Sequence, residues 1–426
     1  MRSGSVRPAR LLVLLLVLAM AGHCGGSGGG GGSSQGPANN TSGGTNVVNT
    51  PNGQTLTPES GSNVMTVTVG GPSAQYINEP TVSVTICDAS GANCQTIGNI
   101  LLDSGDYGLR VYEQVLSSTL AAALRPVQVN GLPLYECIEY GDGSSIWGPV
   151  ESATVTLGGE RPVSIPIHVI GPASFNSSTV CRGTPLLATP ADAGFNGALG
   201  IGFFPQDCGS ACASAAQNGV YFTCSGSICT GTAVPVAEQS QNAVSALPTD
   251  NNGVLLRFPS VPAAGAQVAT GYLIFGIGTQ SNNSPSGFTA YPADNNPADL
   301  SYGRFTTTYN GTSYTSFLDT GSNGLFFPSS QIPTADNGTW YNPPSLLTQQ
   351  ATTVGYPSGP SGQVTFEVGN FDSLSASSNT VFSDLAGPGP GGSMFDWGLP
   401  FFLGRNVFIG FEGASSVLGT GPFWAY

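Results

Sequence analysis

The run Ile100-Leu101-Leu102-Asp103-Ser104-Gly105-Asp106-Tyr107-Gly108-Leu109 is echoed further along the chain by Ser316-Phe317-Leu318-Asp319-Thr320-Gly321-Ser322-Asn323-Gly324-Leu325. Both copies read D-[S/T]-G-x-x-G-L after apolar residues, and their aspartates stand 216 positions apart. In a chain with 61 glycines, one such tripeptide carries little information. Two with matched flanks, and no third anywhere, carry far more. Downstream of each copy lies an apolar-apolar-Gly element, Ala198-Leu199-Gly200 after the first and Phe402-Leu403-Gly404 after the second. Repetition on this scale predicts two homologous units within the chain.

Around the copies, short alternating runs are broken by turn residues at 64–69, 81–87, 99–102, 150–157, 163–170, 272–277, 305–309 and 364–368. Period-two alternation predicts strands. Helical spacing is confined to places such as 112–124. With 61 Gly, 32 Pro and only 8% charged residues, the expectation is a turn-rich, all-β body. A connector around 247–253 divides it into an N-terminal unit, 63–247, and a C-terminal unit, 248–426.

Composition removes whole reaction classes. The chain has no lysine, which excludes Schiff-base, Ser-Lys and P-loop chemistry, since each needs that amine. Of its two histidines, His23 precedes the body and only His168 lies within it, too few for a catalytic zinc site built on several imidazoles. His168 sits in an alternating run, where a structural role is expected. Acidic residues outnumber basic ones 24 to 10, which argues against nucleic acid and anionic lipid surfaces as partners. No cofactor or metal is called for; the acidic loops at 250–253 and 294–299 lack EF-hand spacing. Carboxylates remain. A strand that delivers an Asp into a tight Ser/Thr-Gly turn presents a carboxylate among backbone N–H groups, and a pseudo-two-fold axis sets two of them face to face. Like charges about 3 Å apart share a proton, and such a pair can hold and activate a water.

Arg2, Arg7 and Arg10, followed by the apolar run 11–20, read as a secretory signal peptide over 1–23. Cleavage after Ala21 and cleavage before Cys24 both fit, and Ala21-Gly22-His23-Cys24 resembles a bacterial lipobox. The expectation is an exported protein anchored through a lipid on Cys24 at the outer membrane or cell surface, with a periplasmic or secreted form as the alternative. Residues 24–62, rich in Gly, Ser, Asn and Thr, are expected to form a flexible tether. In an exported protein the other eight cysteines are expected in disulfides. Cys87 and Cys94 flank a hairpin-like turn; Cys208, Cys212, Cys224 and Cys229 cluster and pair among themselves in an order left open; Cys137 then falls to Cys181.

Over roughly 64–426 these motifs resemble the two-lobed pepsin-like aspartic peptidases. They are also similar to exported proteobacterial lipoproteins of uncharacterised function with paired motifs of this type. The peptidase resemblance implies a bilobal acid-protease fold of two β-barrel-like lobes with a cleft between them, acting as a monomer, without cofactor, on extended polypeptide. Asp103 and Asp319 match its catalytic pair. Ser104 and Thr320 match the hydroxyl residues that tie the two loops together, with Gly105, Gly321 and Ser322 completing the support. The run Ile138-Glu139-Tyr140-Gly141-Asp142-Gly143-Ser144-Ser145 resembles the flap hairpin, which makes Tyr140 the residue over the substrate. The chain departs from the family at Asp106, where a hydroxyl normally donates to the catalytic carboxylate; an acid there is expected to raise the pair's pKa or to disable it. The aromatic residue that braces the flap tyrosine is also missing, with Arg110 and Val111 in its region and Trp147 as the candidate substitute. Two further readings are a non-catalytic surface-binding protein that keeps the cleft and a carboxylate-pair glycosidase.

Overall fold

A computed structural model describes residues 56–171, 180–296, 302–389 and 392–426, with the backbone of Val48–Asn49. The signal peptide expected at 1–23, Cys24 and most of the tether lie outside the described residues. The chain is all-β, with short helices such as Ser118–Ala123 and Leu399–Phe402 between strands. Alternation builds these strands as expected for a sheet with one face on a core: in Val64–Gly70, Met65, Val67 and Val69 are buried and Thr66 is exposed. Every strand read from the sequence is present, several with shifted ends: 99–102 lengthens to Cys94–Asp103, and 272–277 starts earlier and stops two residues sooner as Val268–Phe275, before Gly276 at φ +85°. The helix expected over 112–124 shortens to a 3-10 turn, Glu113–Val115, and the helix Ser118–Ala123. Ser117 sets that later start, its Oγ accepting from Leu120 N at 3.2 Å.

One sheet orders its strands as Val48–Asn49, Ser361–Val368, Leu347–Val354, Phe305–Tyr309, Thr312–Leu318, Met394–Trp397, Leu325–Phe326 and Ala386–Gly387. The strands of the first half, with several from the second, close into a barrel-like sheet. Val268–Phe275 makes the join, pairing antiparallel with Val64–Gly70 on one side and Gly253–Arg257 on the other. Gly253–Arg257 pairs in turn with Asn406–Gly410, and that strand with Phe423–Ala425. The connector around 247–253 therefore runs directly into a shared sheet, with the Asp250 carboxylate accepting from Thr279 Oγ1 and Gln280 Nε2.

At its C-terminal end the stretch expected to be tether is part of the body. Val48–Asn49 pairs parallel with Ser361–Val368, Leu56 packs on the apolar cluster around Phe408, and Glu59 forms an ion pair with Arg257. The polar composition concealed a leucine and an acid whose partners lie about 200 to 350 residues away. Cys87–Cys94 and Cys137–Cys181 are bonded as expected, and the open pairing resolves as Cys208–Cys212 and Cys224–Cys229. The largest apolar cluster takes in Leu102, Leu199, Leu318 and Trp397. The inner faces of both motif strands are thus buried in one core, and each strand delivers its aspartate at its C-terminal end.

Candidate active site

Cys94–Asp103 and Thr312–Leu318 are each flanked by a parallel strand in matching register. Leu101, Leu102 and Asp103 stand opposite Ala198, Leu199 and Gly200. Phe317 and Leu318 stand opposite Asp396 and Trp397, and Asp319 N donates to Trp397 O at 3.0 Å. The second glycine element is therefore Asp396-Trp397-Gly398, which corrects the expected Phe402-Leu403-Gly404. Phe402 ends the helix Leu399–Phe402, and Gly404 N donates to Pro259 O. The true element carries an acid where an apolar residue was sought, whereas Phe402 and Leu403 are apolar because the general core buries them.

The two motif turns interlock. Ser104 N donates to Thr320 Oγ1 at 3.0 Å, and Ser104 Oγ donates to Leu318 O at 3.0 Å. Reciprocally, Thr320 N donates to Ser104 Oγ at 2.9 Å, and Thr320 Oγ1 donates to Leu102 O at 2.7 Å. A Cβ on Gly105 would lie 2.7 Å from Asp319 Cγ, and one on Gly321 2.6 Å from Asp103 Cγ. Each glycine leaves the room that the opposite carboxylate occupies. Asp103 Oδ1 accepts from Gly105 N at 2.8 Å and Asp106 N at 3.1 Å. Asp319 Oδ1 accepts from Gly321 N and its Oδ2 from Ser322 Oγ, both at 2.8 Å. Both aspartates are fully buried. Burial pushes both above the usual carboxylate range, and the charges of Asp319 and then Asp106 push Asp103 further, as expected of an acid at 106; two buried like charges this close favour one shared proton.

Asp106 turns away from this pair. Its carboxylate takes a two-point contact from Arg110, Nε to Oδ2 at 2.9 Å and Nη2 to Oδ1 at 3.1 Å. Arg110 also donates to Glu136 Oε1 at 2.6 Å and Asp207 Oδ1 at 2.9 Å. All four residues are buried. The backbone amide of Asp106 serves Asp103 while its side chain is paired with Arg110, although its charge still raises Asp103. Against the effect of burial, Arg110 and His168 hold Glu136 down at about 2. Burial pushes His168 down to about 4, and its Nδ1 lies 3.4 Å from Arg110 Nη1. Ser240 Oγ donates to Glu136 at 2.5 Å, so His168 belongs to a buried polar network.

Strands Leu132–Glu139 and Ser145–Thr156 form a hairpin with Tyr140, Gly141, Asp142 and Gly143 at its tip. Tyr140 N donates to Ser144 O at 2.8 Å and Gly143 N to Tyr140 O at 2.9 Å, while Asp142 Oδ1 accepts from Ser144 N at 2.9 Å. Gly143 has φ +88°, a left-handed conformation that glycine adopts without strain. Tyr140 is buried in a cluster with Tyr76, Tyr112, Leu101 and Ala198, on the Asp103 side. Trp147 does not brace it: Trp147 stacks on Tyr135, ring centroids 5.5 Å apart, in a separate cluster beside the Cys137–Cys181 bond. The strap around 181–187 ties the hairpin down. Glu139 Oε1 accepts from Arg182 N and Gly183 N, and Ser145 pairs with Pro185 and Leu187 through backbone bonds.

Two contributors carry no sequence motif. Tyr76 places a buried hydroxyl, without a hydrogen-bond partner among the described residues, in the Tyr140 cluster. Asn78, with φ +60°, bridges the halves, its Nδ2 donating to Asn323 O at 2.8 Å and Phe382 O at 2.9 Å. Only their solitary positions before the strand Pro80–Cys87 mark them, and that is no signal in a turn-rich chain. No curated protein matches this sequence. The model of the family described as "Protein of unknown function (DUF3443)" matches residues 59–426, and the chain belongs to that family.

Proposed function

We propose that the protein is an aspartic endopeptidase of two-lobed, pepsin-like architecture, exported and held at a membrane through a lipid on Cys24. The observation that carries this reading is the reciprocal Ser104–Thr320 exchange, which sets Asp103 and Asp319 against each other's glycines. Four disulfides suit the oxidising compartment that export implies. A water between the carboxylates gives a proton to Asp319 while Asp103 protonates the carbonyl oxygen of the scissile amide, and the water oxygen bonds to the carbonyl carbon. The resulting gem-diol collapses as Asp319 passes its proton to the amide nitrogen and Asp103 takes one from the diol. The C–N bond breaks, and the pair ends with the single proton it started with. The buried state of Asp103, Asp319 and Tyr140 requires the hairpin tip to lift before an extended chain enters.

Asp106 is compatible with this chemistry because its carboxylate is held by Arg110, its remaining charge raising Asp103 in the direction a proton donor needs. The test is digestion of a denatured protein from about pH 3 to 7, beside Asp103→Asn and Asp319→Asn variants. Wild type should cleave, and each variant should lose at least about a thousandfold in rate while staying folded. Folded wild-type protein that cuts nothing would sink the proposal and leave a binding protein.

A further inference from the structure

Asp396 is buried, and among the described residues neither oxygen of its carboxylate has a partner at hydrogen-bond geometry, Ser322 Oγ being given to Asp319. Burying a carboxyl group without a partner is costly, so its place needs a reason. The fold does not supply one. In the first half the residue at the matching register position is Ala198, packed in an apolar cluster beside Leu101. An acid at 396 is therefore dispensable for the strand–turn arrangement that carries an aspartate.

Its direction follows from the register. Asp396 stands opposite Phe317, two residues before Asp319, and alternate residues on a strand share a face. Asp396 thus lies on the face that Asp319 occupies. The nearby guanidinium of Arg304 sits over the Phe317 ring, 4.2 Å from its centroid; it and the Ser322 hydroxyl favour the charged form of Asp396, but Arg304 lies beyond ion-pair distance of it. An acid beside the dyad that no cation of the chain touches is complementary to a cation that arrives from outside.

Composition points the same way. The chain has no lysine, its formal net charge is −14, and residues 24–62 contain neither Lys nor Arg. A peptidase selective for basic side chains would spare this stretch of its own chain, and its field would draw cationic polypeptide toward the cleft.

We propose that Asp396 determines specificity on the Asp319 side of the dyad, receiving the lysine or arginine side chain of a polypeptide substrate next to the scissile bond; this rests on the endopeptidase reading. The test is digestion of extended peptides carrying Lys, Arg, Gln or norleucine at each position flanking the cut, by wild-type protein, Asp396→Asn and Asp396→Leu. Wild type should prefer Lys or Arg over norleucine by at least about tenfold in kcat/KM. Both variants should lose that preference, measured as the Lys-to-norleucine ratio within each variant whatever its overall rate. The leucine variant mimics the apolar counterpart at 198 and guards against an asparagine variant that does not fold. A wild-type enzyme indifferent to charge, or a preference unchanged in the variants, overturns the proposal.

A second arm separates the two readings: calorimetric binding of a lysyl peptide and its norleucine twin to Asp319→Asn protein, with and without Asp396→Asn. If wild type cuts no peptide, but the lysyl peptide binds about tenfold tighter and Asp396→Asn removes that margin, the endopeptidase reading falls and the subsite stands. If wild type cuts none and the two peptides bind alike, or neither binds, the subsite falls as well.

Discussion

Arg110 has three carboxylates on one guanidinium, those of Asp106, Glu136 and Asp207, all of them buried. Removing the cation strands buried acids, which is worth about 3–5 kcal/mol where one partner of a buried pair is lost. Arg110→Met should therefore lower unfolding stability by about that amount, read by denaturant titration. Asp106→Ser leaves Arg110 with two acids and removes its two-point contact, so it should reduce stability and bring no gain in proteolysis. A rise in kcat/KM would show that Asp106 does burden the dyad. Gly105→Ala and Gly321→Ala place a methyl within 3 Å of the opposite carboxyl. Each should cost at least about a hundredfold in kcat/KM, because displacing reacting groups by about 1 Å has effects of that size. These residues were legible as a repeated motif, but the fate of the Asp106 side chain was not, since it depends on an arginine four residues on and acids 26 and 97 residues beyond that.

At the scale of elements, the hairpin with Tyr140 at its tip is held from outside by the strap around 181–187. The Cys137–Cys181 bond spans 44 residues, for which chain entropy assigns about 4 kcal/mol. A Cys137→Ala/Cys181→Ala double variant should lose stability of that order, and amide exchange of the hairpin should accelerate more than that of the core strands. Unchanged exchange at the hairpin would mean that backbone bonds to Pro185 and Leu187 suffice to hold it. The strands themselves were readable because burying one face writes a period of two into the sequence, as in Val64–Gly70. The second glycine element was misread for the converse reason: Asp396 breaks the apolar pattern at a position where the register, not hydropathy, defines the element.

For the whole molecule, buried acids make stability depend on pH in a calculable direction. Burial raises Asp103, Asp207, Asp319 and Asp396, and lifts Asp384 to about 6. A raised carboxyl is protonated in the folded chain before the unfolded one, so its contribution is lost as pH rises and regained as pH falls toward about 4. His168 opposes them: burial lowers it to about 4, the unfolded chain takes its proton first, and stability is lost as pH falls from about 6.5. Glu136, near 2, adds a loss as pH drops below about 4.5. Several acids against one imidazole predict a thermal unfolding midpoint that rises from about pH 7 to about 4.5 and falls below about pH 4. A midpoint that declines steadily from neutrality would contradict this balance. The sequence by itself determined the all-β character, the paired aspartate turns and two of the disulfides, because strand alternation, tight turns and a duplicated motif are all recorded locally. Only the tertiary structure decided that Arg110 pairs with Asp106, that Asp396 stands beside Asp319, and that residues near 59 belong to the body. Those contacts join strands through register and bring together residues such as Glu59 and Arg257, 198 positions apart, and no local pattern encodes a partner at that distance.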